Sequence, residues 1–272
     1  MEVKVIGFIK YRIGGMELYD KLRLETFPIA IKYVKSTRET AFLAAQIPFL
    51  GVRPYKKYGN KIALCQAFLH TRRWGTTFAM TSGDNICTTG KFLHRWENIP
   101  LEEFFNNQGR QGWHRNIEVE KKRLAAIESL YGGKSHEEVG EYCGFICSPL
   151  PKTFVVPDAI FIYCNGSQFT HIVHALSYEY KHVPESSFDG FGEVCFKGCL
   201  VPFLTQKPQV VIPGLQERAI SCTQDHEIGI GIPGHLLFYI LKYLFKTGRG
   251  SNVGFPGRAL TPILNQYNHT GF

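Results

Sequence analysis

What this chain lacks narrows its possibilities first. No apolar run approaches the roughly 20 residues that span a bilayer. The longest such segment, His235 to Phe245, is interrupted by Lys242, so a buried helix is expected there and no membrane partner. Met1 to Lys10 contains no apolar block of a secretion signal, and a cytoplasmic location is the expectation. In that compartment the glycosylation-type triplets Asn165-Gly-Ser167 and Asn268-His-Thr270 carry little meaning. Neither a Gly-x-Ser-x-Gly elbow nor a His-Glu-x-x-His pair occurs, which leaves the common hydrolase readings without support.

Nucleotide motifs are also missing. Gly132-Gly-Lys-Ser135 resembles the end of a phosphate loop, but Ile127 and Glu128 stand where its first glycine is needed. Gly229-Ile-Gly231 opens no helix at the dinucleotide-binding step. The net charge is +8, yet no basic arm exists. The cations are scattered as Lys56-Lys57, Arg72-Arg73 and Lys121-Lys122-Arg123. Such a pattern reads as a solvated surface rather than a nucleic-acid footprint.

What remains is an ordinary globular composition, 44% hydrophobic and 20% charged over 272 residues, long enough for one large core. Strand patterns occur at Ile29–Val34, Thr76–Thr81, Asp158–Cys164, Gln209–Ile212 and Glu227–Ile232. Helical patterns occur at Glu17–Glu25, Leu64–Trp74, Thr88–Trp96, Glu118–Leu130, Gln168–Tyr180, Val194–Phe203 and Gly234–Lys246. Residues 36–60 read as loop. In Glu227–Ile232 the glycines alternate with isoleucines, the pattern of a strand lying close to another backbone. This alternation of elements predicts an α/β or α+β fold: a single compact domain, residues 1–272, with a mixed sheet and flanking helices. Its core would run from about 17 to 247, with a tail at 248–272. Two pseudo-similar halves stay open as an arrangement, although no sequence repeat marks them.

Against this background the chain holds eight cysteines. In a reducing compartment they are reduced thiols, metal ligands or redox groups rather than structural disulfides. Cys65 opens a helical stretch and Cys87 stands near the start of the next. Helix N-termini favour thiolate, and thiolates are soft ligands for zinc, copper(I) or iron–sulfur clusters. Buried hydrocarbon-like thiols are the alternative. Cys195 and Cys199, like Cys143 and Cys147, are four apart, a spacing that puts both sulfurs on one helix face. The same spacing is the ordinary repeat of a buried stripe. Cys164 ends an apolar strand and reads as core. His171 and His174 lack a matching third ligand. The polar stretch from Pro213 to Glu227 can carry Arg218 to an anionic ligand, with Asp225 and Glu227 orienting it, or can form surface ion pairs of small worth.

One ordered set of residues goes further. It runs through Phe27-Pro-Ile-Ala-Ile-Lys32, Cys65, Arg72-Arg73-x-Gly75, Ser82-x-Asp84 and Cys87-x-x-Gly90. It continues with Cys195, Pro202, Pro213-Gly214, Arg218, Thr223-Gln-Asp-x-Glu227 and Ile232-Pro233. The set resembles the domain-of-unknown-function 169 family of anaerobic bacteria and archaea, over roughly Glu17 to Tyr243. The resemblance brings no established reaction. It does imply that Cys65, Cys87 and Cys195 occupy motif positions, and three thiolates with an open fourth position suit a [4Fe–4S] cluster or another thiolate-bound metal. Cys199 and Cys222 look like additions to the family pattern, and Leu215-Gln216-Glu217 replaces a more glycine-rich turn. The expectation is therefore a cytoplasmic iron–sulfur or soft-metal protein with Cys65, Cys87 and Cys195 as ligands and Cys199 or Cys222 as the fourth. Its work would be oxidoreductase-like, on a small molecule or with an electron-transfer partner. A homo-oligomer stays open. The competing expectation is a non-catalytic pocket for an organic cofactor or metabolite, lined by some of the chain's Phe, Tyr and Trp residues.

Overall fold

The computed structural model describes residues 2–35, 52–106 and 114–246. Most of the loop expected at 36–60, the tail at 248–272 and the Asn268 triplet lie outside them. Seven strands form one mixed sheet: β1 (Ile29–Val34), β2 (Phe78–Thr81), β3 (Gly144–Pro149), β4 (Ala159–Cys164), β5 (Glu185–Ser186), β6 (Gln209–Val211) and β7 (Ile228–Pro233). Their order is β2-β3-β1-β4-β7-β6-β5. All neighbours are antiparallel except β5 and β6. The helices are α1 (Glu2–Leu22), α2 (Pro54–Tyr58), α3 (Leu64–Trp74), α4 (Thr88–Leu93), α5 (Leu101–Asn106), α6 (Ile117–Glu128) and α7 (His136–Gly140). They continue with α8 (Gly166–Ser177), α9 (Val201–Thr205), α10 (Leu215–Ile220) and α11 (Leu236–Tyr243). A π-helix spans Glu193–Leu200. The mixed α/β architecture agrees with the composition of the elements.

The strands sort their side chains by the two-residue period of the pleat. Ala30, Ile160, Ile162, Ile230 and Ile232 point to one face, where Leu18 and Leu22 of α1, Ile172 of α8 and Leu237 of α11 cover them. Ile29, Ile31, Tyr33, Phe161 and Tyr163 point to the other, where Leu64 and Phe68 of α3 and Phe196 of the π-helix complete a second core. The sheet thus separates two apolar cores, and the candidate site grows from the second.

Three local readings are corrected by the structure. The N-terminal helix runs Glu2–Leu22 rather than Glu17–Glu25. Gly7, Gly14 and Gly15 lower its intrinsic propensity, and packing overrides that cost: a Cβ on Gly15 would run into Leu150. Cys143 and Cys147 do not share a helix face. Cys147 lies in β3, the strand between β1 and β2, and Cys143 lies just before it. Finally, Val194–Phe203 is not one α-helix but the π-helix followed by α9.

The π-helix depends on the glycines of β7. The isoleucines of Ile228-Gly-Ile-Gly-Ile232 face the first core, leaving Gly229 and Gly231 towards the second. A Cβ on Gly231 would collide with the Gly198 carbonyl, and one on Gly229 would collide with Phe161. Bare backbone on β7 therefore lets the backbone of Glu193–Leu200 rest on the sheet, which fixes where Cys195 stands.

Candidate functional site

Cys65 and Cys87 are brought together by a short parallel bridge between Ile62 and Asn85. Ile62 N donates to the Asp84 carbonyl (3.1 Å), and Ile86 N to the Ile62 carbonyl (3.1 Å). Cys65 then falls in the first turn of α3, where the Gln66 side chain accepts from Ala63 N at 2.8 Å. Cys87 is the N-cap of α4, its Sγ accepting from Gly90 N at 3.4 Å. Asn85, fully buried, holds Cys87 at both ends: its Oδ1 accepts from Cys87 N (2.9 Å) and its Nδ2 donates to the Cys87 carbonyl (3.2 Å).

Cys195 arrives from the opposite side on the π-helix. π-Helical turns are rare and concentrate at functional sites. The first turn of this one is braced by charge. Lys197 Nζ, almost wholly buried, donates to Glu193 (2.8 Å) and to Asp189 (2.6 Å). Glu193 Oε1 also accepts from Gly190 N (3.0 Å), and Asp189 Oδ1 from Phe191 N (3.0 Å). The Gly190-Phe191-Gly192 turn is thereby tied to the helix it precedes. Gly190 and Gly192 both have left-handed φ, 81° and 57°, which glycine adopts without steric cost.

Cys65, Cys87 and Cys195 line one cavity of about 230 Å³, together with Ile86, Phe191, Glu217 and Ile220. The neighbourhood is electron-rich. Burial pushes the Cys65 and Cys195 thiols far above the usual thiol range, and the charges of Glu217 and Cys87 push them in the same direction. Burial also raises the Glu217 carboxyl, which is 5% exposed and accepts a long hydrogen bond from Val194 N (3.3 Å). A second cavity of about 440 Å³ adjoins the first across Gly190 and Phe191. Its walls include His114, Phe188, Asp189, Glu193, Pro213 and Arg218.

The remaining expected site residues lie elsewhere. Cys199, four residues beyond Cys195, is buried in the second core, where burial and Cys147 push its thiol up and it in turn helps to raise the Tyr33 hydroxyl. Cys222 is exposed, and its carbonyl accepts from Arg72 (3.1 Å) and Arg73 (3.2 Å). Neither lines the thiol cavity. Arg218 reaches the groove and donates to the Gln224 carbonyl (2.8 Å), with Asp225 at 3.8 Å. Glu227 does not orient it. That carboxylate forms a buried bidentate pair with Arg72, whose guanidinium lies 3.9 Å from the centroid of the Tyr163 ring. Glu227 is thus part of the framework that anchors α3 to the approach of β7. Cys164 Sγ donates to the Ile228 carbonyl (3.7 Å) within the core, and His171 packs edge-on against Phe245.

Glu217, Asn85 and the Glu193–Lys197 pair escaped the sequence reading. For the last there was a signal: a glutamate and a lysine four apart in an otherwise small and apolar stretch, Glu193-Val-Cys-Phe-Lys197, predict a paired charge on a buried helix. Glu217 lies in a polar run with nothing in its neighbours to mark it.

Around one tetrahedral ion with metal–sulfur bonds near 2.3 Å, the sulfurs stand about 3.8 Å apart. Among the described residues, no group of three or more His, Cys, Asp or Glu side chains is disposed to hold a metal ion. The donor types suit soft-metal chemistry, but the described side chains are not grouped to hold a metal ion. Also among the described residues, no helix is long and apolar enough to cross a membrane. Neither the curated proteins nor the solved structures contain a match to the chain. The family comparison is positive: residues 17–242 match the model of DUF169, described as an uncharacterised ArCR family, and the chain belongs to that family.

Proposed function

We propose that the cavity lined by Cys65, Cys87 and Cys195 is the functional centre of a cytoplasmic protein and holds an iron–sulfur cluster, of the [4Fe–4S] type. The single observation that supports this most is the gathering of three thiols from three distant segments onto one cavity wall. When bound, a cluster supplies one-electron transfer or an iron open to a small molecule.

The chain's own residues prepare this site in identifiable ways. Asn85 fixes the backbone on both sides of Cys87. Lys197, Glu193 and Asp189 fix the turn that carries Phe191 over the cavity. Thiols bind a metal as thiolates, so loading the site would release the protons of Cys65 and Cys195, which burial holds on. The adjoining groove supports a small anionic substrate held at Arg218, with the apolar rings of Phe188 and Phe191 beside it. The test is anaerobic reconstitution with iron and sulfide, followed by iron, sulfide and zinc analysis. Stoichiometric iron and sulfide with charge-transfer colour support the reading, and a colourless, metal-free protein defeats it.

A second reading draws on the thiol cavity itself: a non-catalytic pocket for an organic cofactor or metabolite, with the cysteines as packing. Ile86, Phe191 and Ile220 on the cavity wall favour it. A Cys65→Ser, Cys87→Ser double variant that kept its organic ligand unchanged would favour this reading over the first.

A further inference from the structure

We infer that the groove beside the thiol cavity binds a small organic acid bearing a hydroxyl or amino group, with Arg218 on its anionic end and His114 accepting a hydrogen bond from that group. The inference rests on the groove part of the reading above and needs no cluster. The groove encloses about 440 Å³, and both residues open onto it. Arg218 uses one nitrogen, Nη1, on the Gln224 carbonyl and towards Asp225. Its Nε and Nη2 have no partner among the described residues. That edge of the guanidinium is the one that takes a carboxylate with two parallel hydrogen bonds.

His114 is placed by a buried carboxylate. Its Nδ1 lies 2.6 Å from Glu120 Oε2, and Glu120, wholly buried, is clasped by Arg123 at 2.5 Å from Oε1. The imidazole packs against the Phe191 ring, 5.2 Å between centroids. A carboxylate at Nδ1 keeps the ring's proton on that nitrogen and leaves Nε2 as the acceptor. It also stabilises the imidazolium that forms when Nε2 draws a proton from a hydroxyl or ammonium group, the arrangement of a general base. The Nδ1 contact is oblique, and contacts of this kind tighten once a ligand is seated.

The rest of the wall fits the same ligand. Glu193 accepts from Asp189 N, Gly190 N and Lys197 Nζ through Oε1 alone, and its buried Oε2 has no partner among the described residues. Arg123 Nη1, behind Phe191, also makes no hydrogen bond. Buried polar atoms are rarely left unpaired, yet these two and His114 Nδ1 gather behind one groove. Asp189 does not repel an anion there, because Lys197 and Arg123 neutralise it. Phe188, Ile212 and Leu215, large apolar side chains that are exposed, rim the opening. They suit a carbon skeleton rather than a bare inorganic anion.

The experiment is nuclear magnetic resonance of the metal-free full chain, with nitrogen-labelled histidine, under mildly alkaline conditions. His114→Gln assigns the signal. The probes are lactate, malate and serine, set against propionate and succinate, which lack the hydroxyl or amino group. The inference predicts the Nδ1–H tautomer for His114 and a saturable shift of its Nε2 signal with at least one of the first three, at concentrations where propionate and succinate move it less. Arg218→Gln, checked for fold by circular dichroism, should weaken that binding by about tenfold or more. The Nε2–H tautomer, no shift with any of the three, equal shifts from propionate and succinate, or unchanged affinity in Arg218→Gln each overturn the inference. None of these outcomes bears on iron uptake, and a chain that takes up no iron and sulfide leaves the groove site standing.

Discussion

Arg72 and Glu227 show how single residues hold the site's framework. Both are buried, and Arg72 also reaches the Ser221 and Cys222 carbonyls. Removing one partner leaves an uncompensated charge, which typically costs about 3–5 kcal/mol. Arg72→Met should therefore lower the urea midpoint sharply, and the Arg72→Met, Glu227→Gln double variant should recover part of the loss. An unchanged midpoint in the single variant would show that the pair does not anchor α3. Asn85 is a second such residue. Asn85→Ala strips the hydrogen bonds from both ends of Cys87 and should cost about 1–3 kcal/mol, with a matching loss of iron retention. Thiol reactivity distinguishes the cysteines in the apo chain. Cys65 and Cys195 stay protonated under mildly alkaline conditions because burial raises them, whereas Cys222 is exposed. A chromogenic disulfide reagent at pH 8 should show a fast phase that Cys222→Ser abolishes; a fast phase traced to Cys65 or Cys195 would contradict the burial described.

At the scale of elements, the seat of the π-helix on β7 decides the site. Gly231→Ala forces a methyl group into the Gly198 carbonyl, where neither backbone can yield without the other. The expected loss is about 1–3 kcal/mol or more, accompanied by displacement of Cys195. Gly166→Ala is the control. Gly166 begins α8 with nothing near a new Cβ, and the change should be neutral or stabilising by about 0.4–1 kcal/mol. Equal effects in thermal unfolding would refute the close-packing account. These elements also show what the sequence made legible. The alternation in Ile228-Gly-Ile-Gly-Ile232 announced a strand against another backbone, and the structure supplies that backbone. The β-branched and aromatic run of Ile29–Val34 announced β1 with its observed ends. The π-helix was hidden because its residues are compatible with an ordinary helix, and its wider turn comes from the glycine seat beneath it. Strand β3 was obscured because Gly144, Cys147, Ser148 and Pro149 are poor strand formers locally and owe their conformation to β1 and β2 on either side.

Across the whole molecule, burial of ionisable groups predicts the shape of the stability curve. Cys147 and Cys164 are pushed up to about 12 by burial, against about 8.5 for an unfolded thiol. Below pH 8.5 both states keep these protons. Above it the unfolded chain loses them first, so stability falls as pH rises. His94, buried between α4 and the π-helix, is lowered to about 4 by burial, against about 6.5 unfolded. Its contribution is full above pH 6.5 and declines as pH falls towards 4. Chemical denaturation of the apo chain across pH 5 to 10 should therefore show greatest stability between about pH 6.5 and 8.5, with His94→Gln flattening the acid side. Monotonic stability across that range would contradict the burial of these groups.

The candidate site was legible only in part at this scale. The three motif cysteines could be named from their order in the chain. Their enclosure with Glu217 could not, because it depends on where the Ile62–Asn85 bridge, the seat on β7 and the packing of α10 place segments far apart in sequence. The most direct measurement of the central claim is anomalous diffraction at the iron edge from anaerobically reconstituted crystals. The account predicts one compact iron peak bounded by the sulfurs of Cys65, Cys87 and Cys195. An iron peak elsewhere, or none in crystals where those three thiols are clearly ordered, would contradict it.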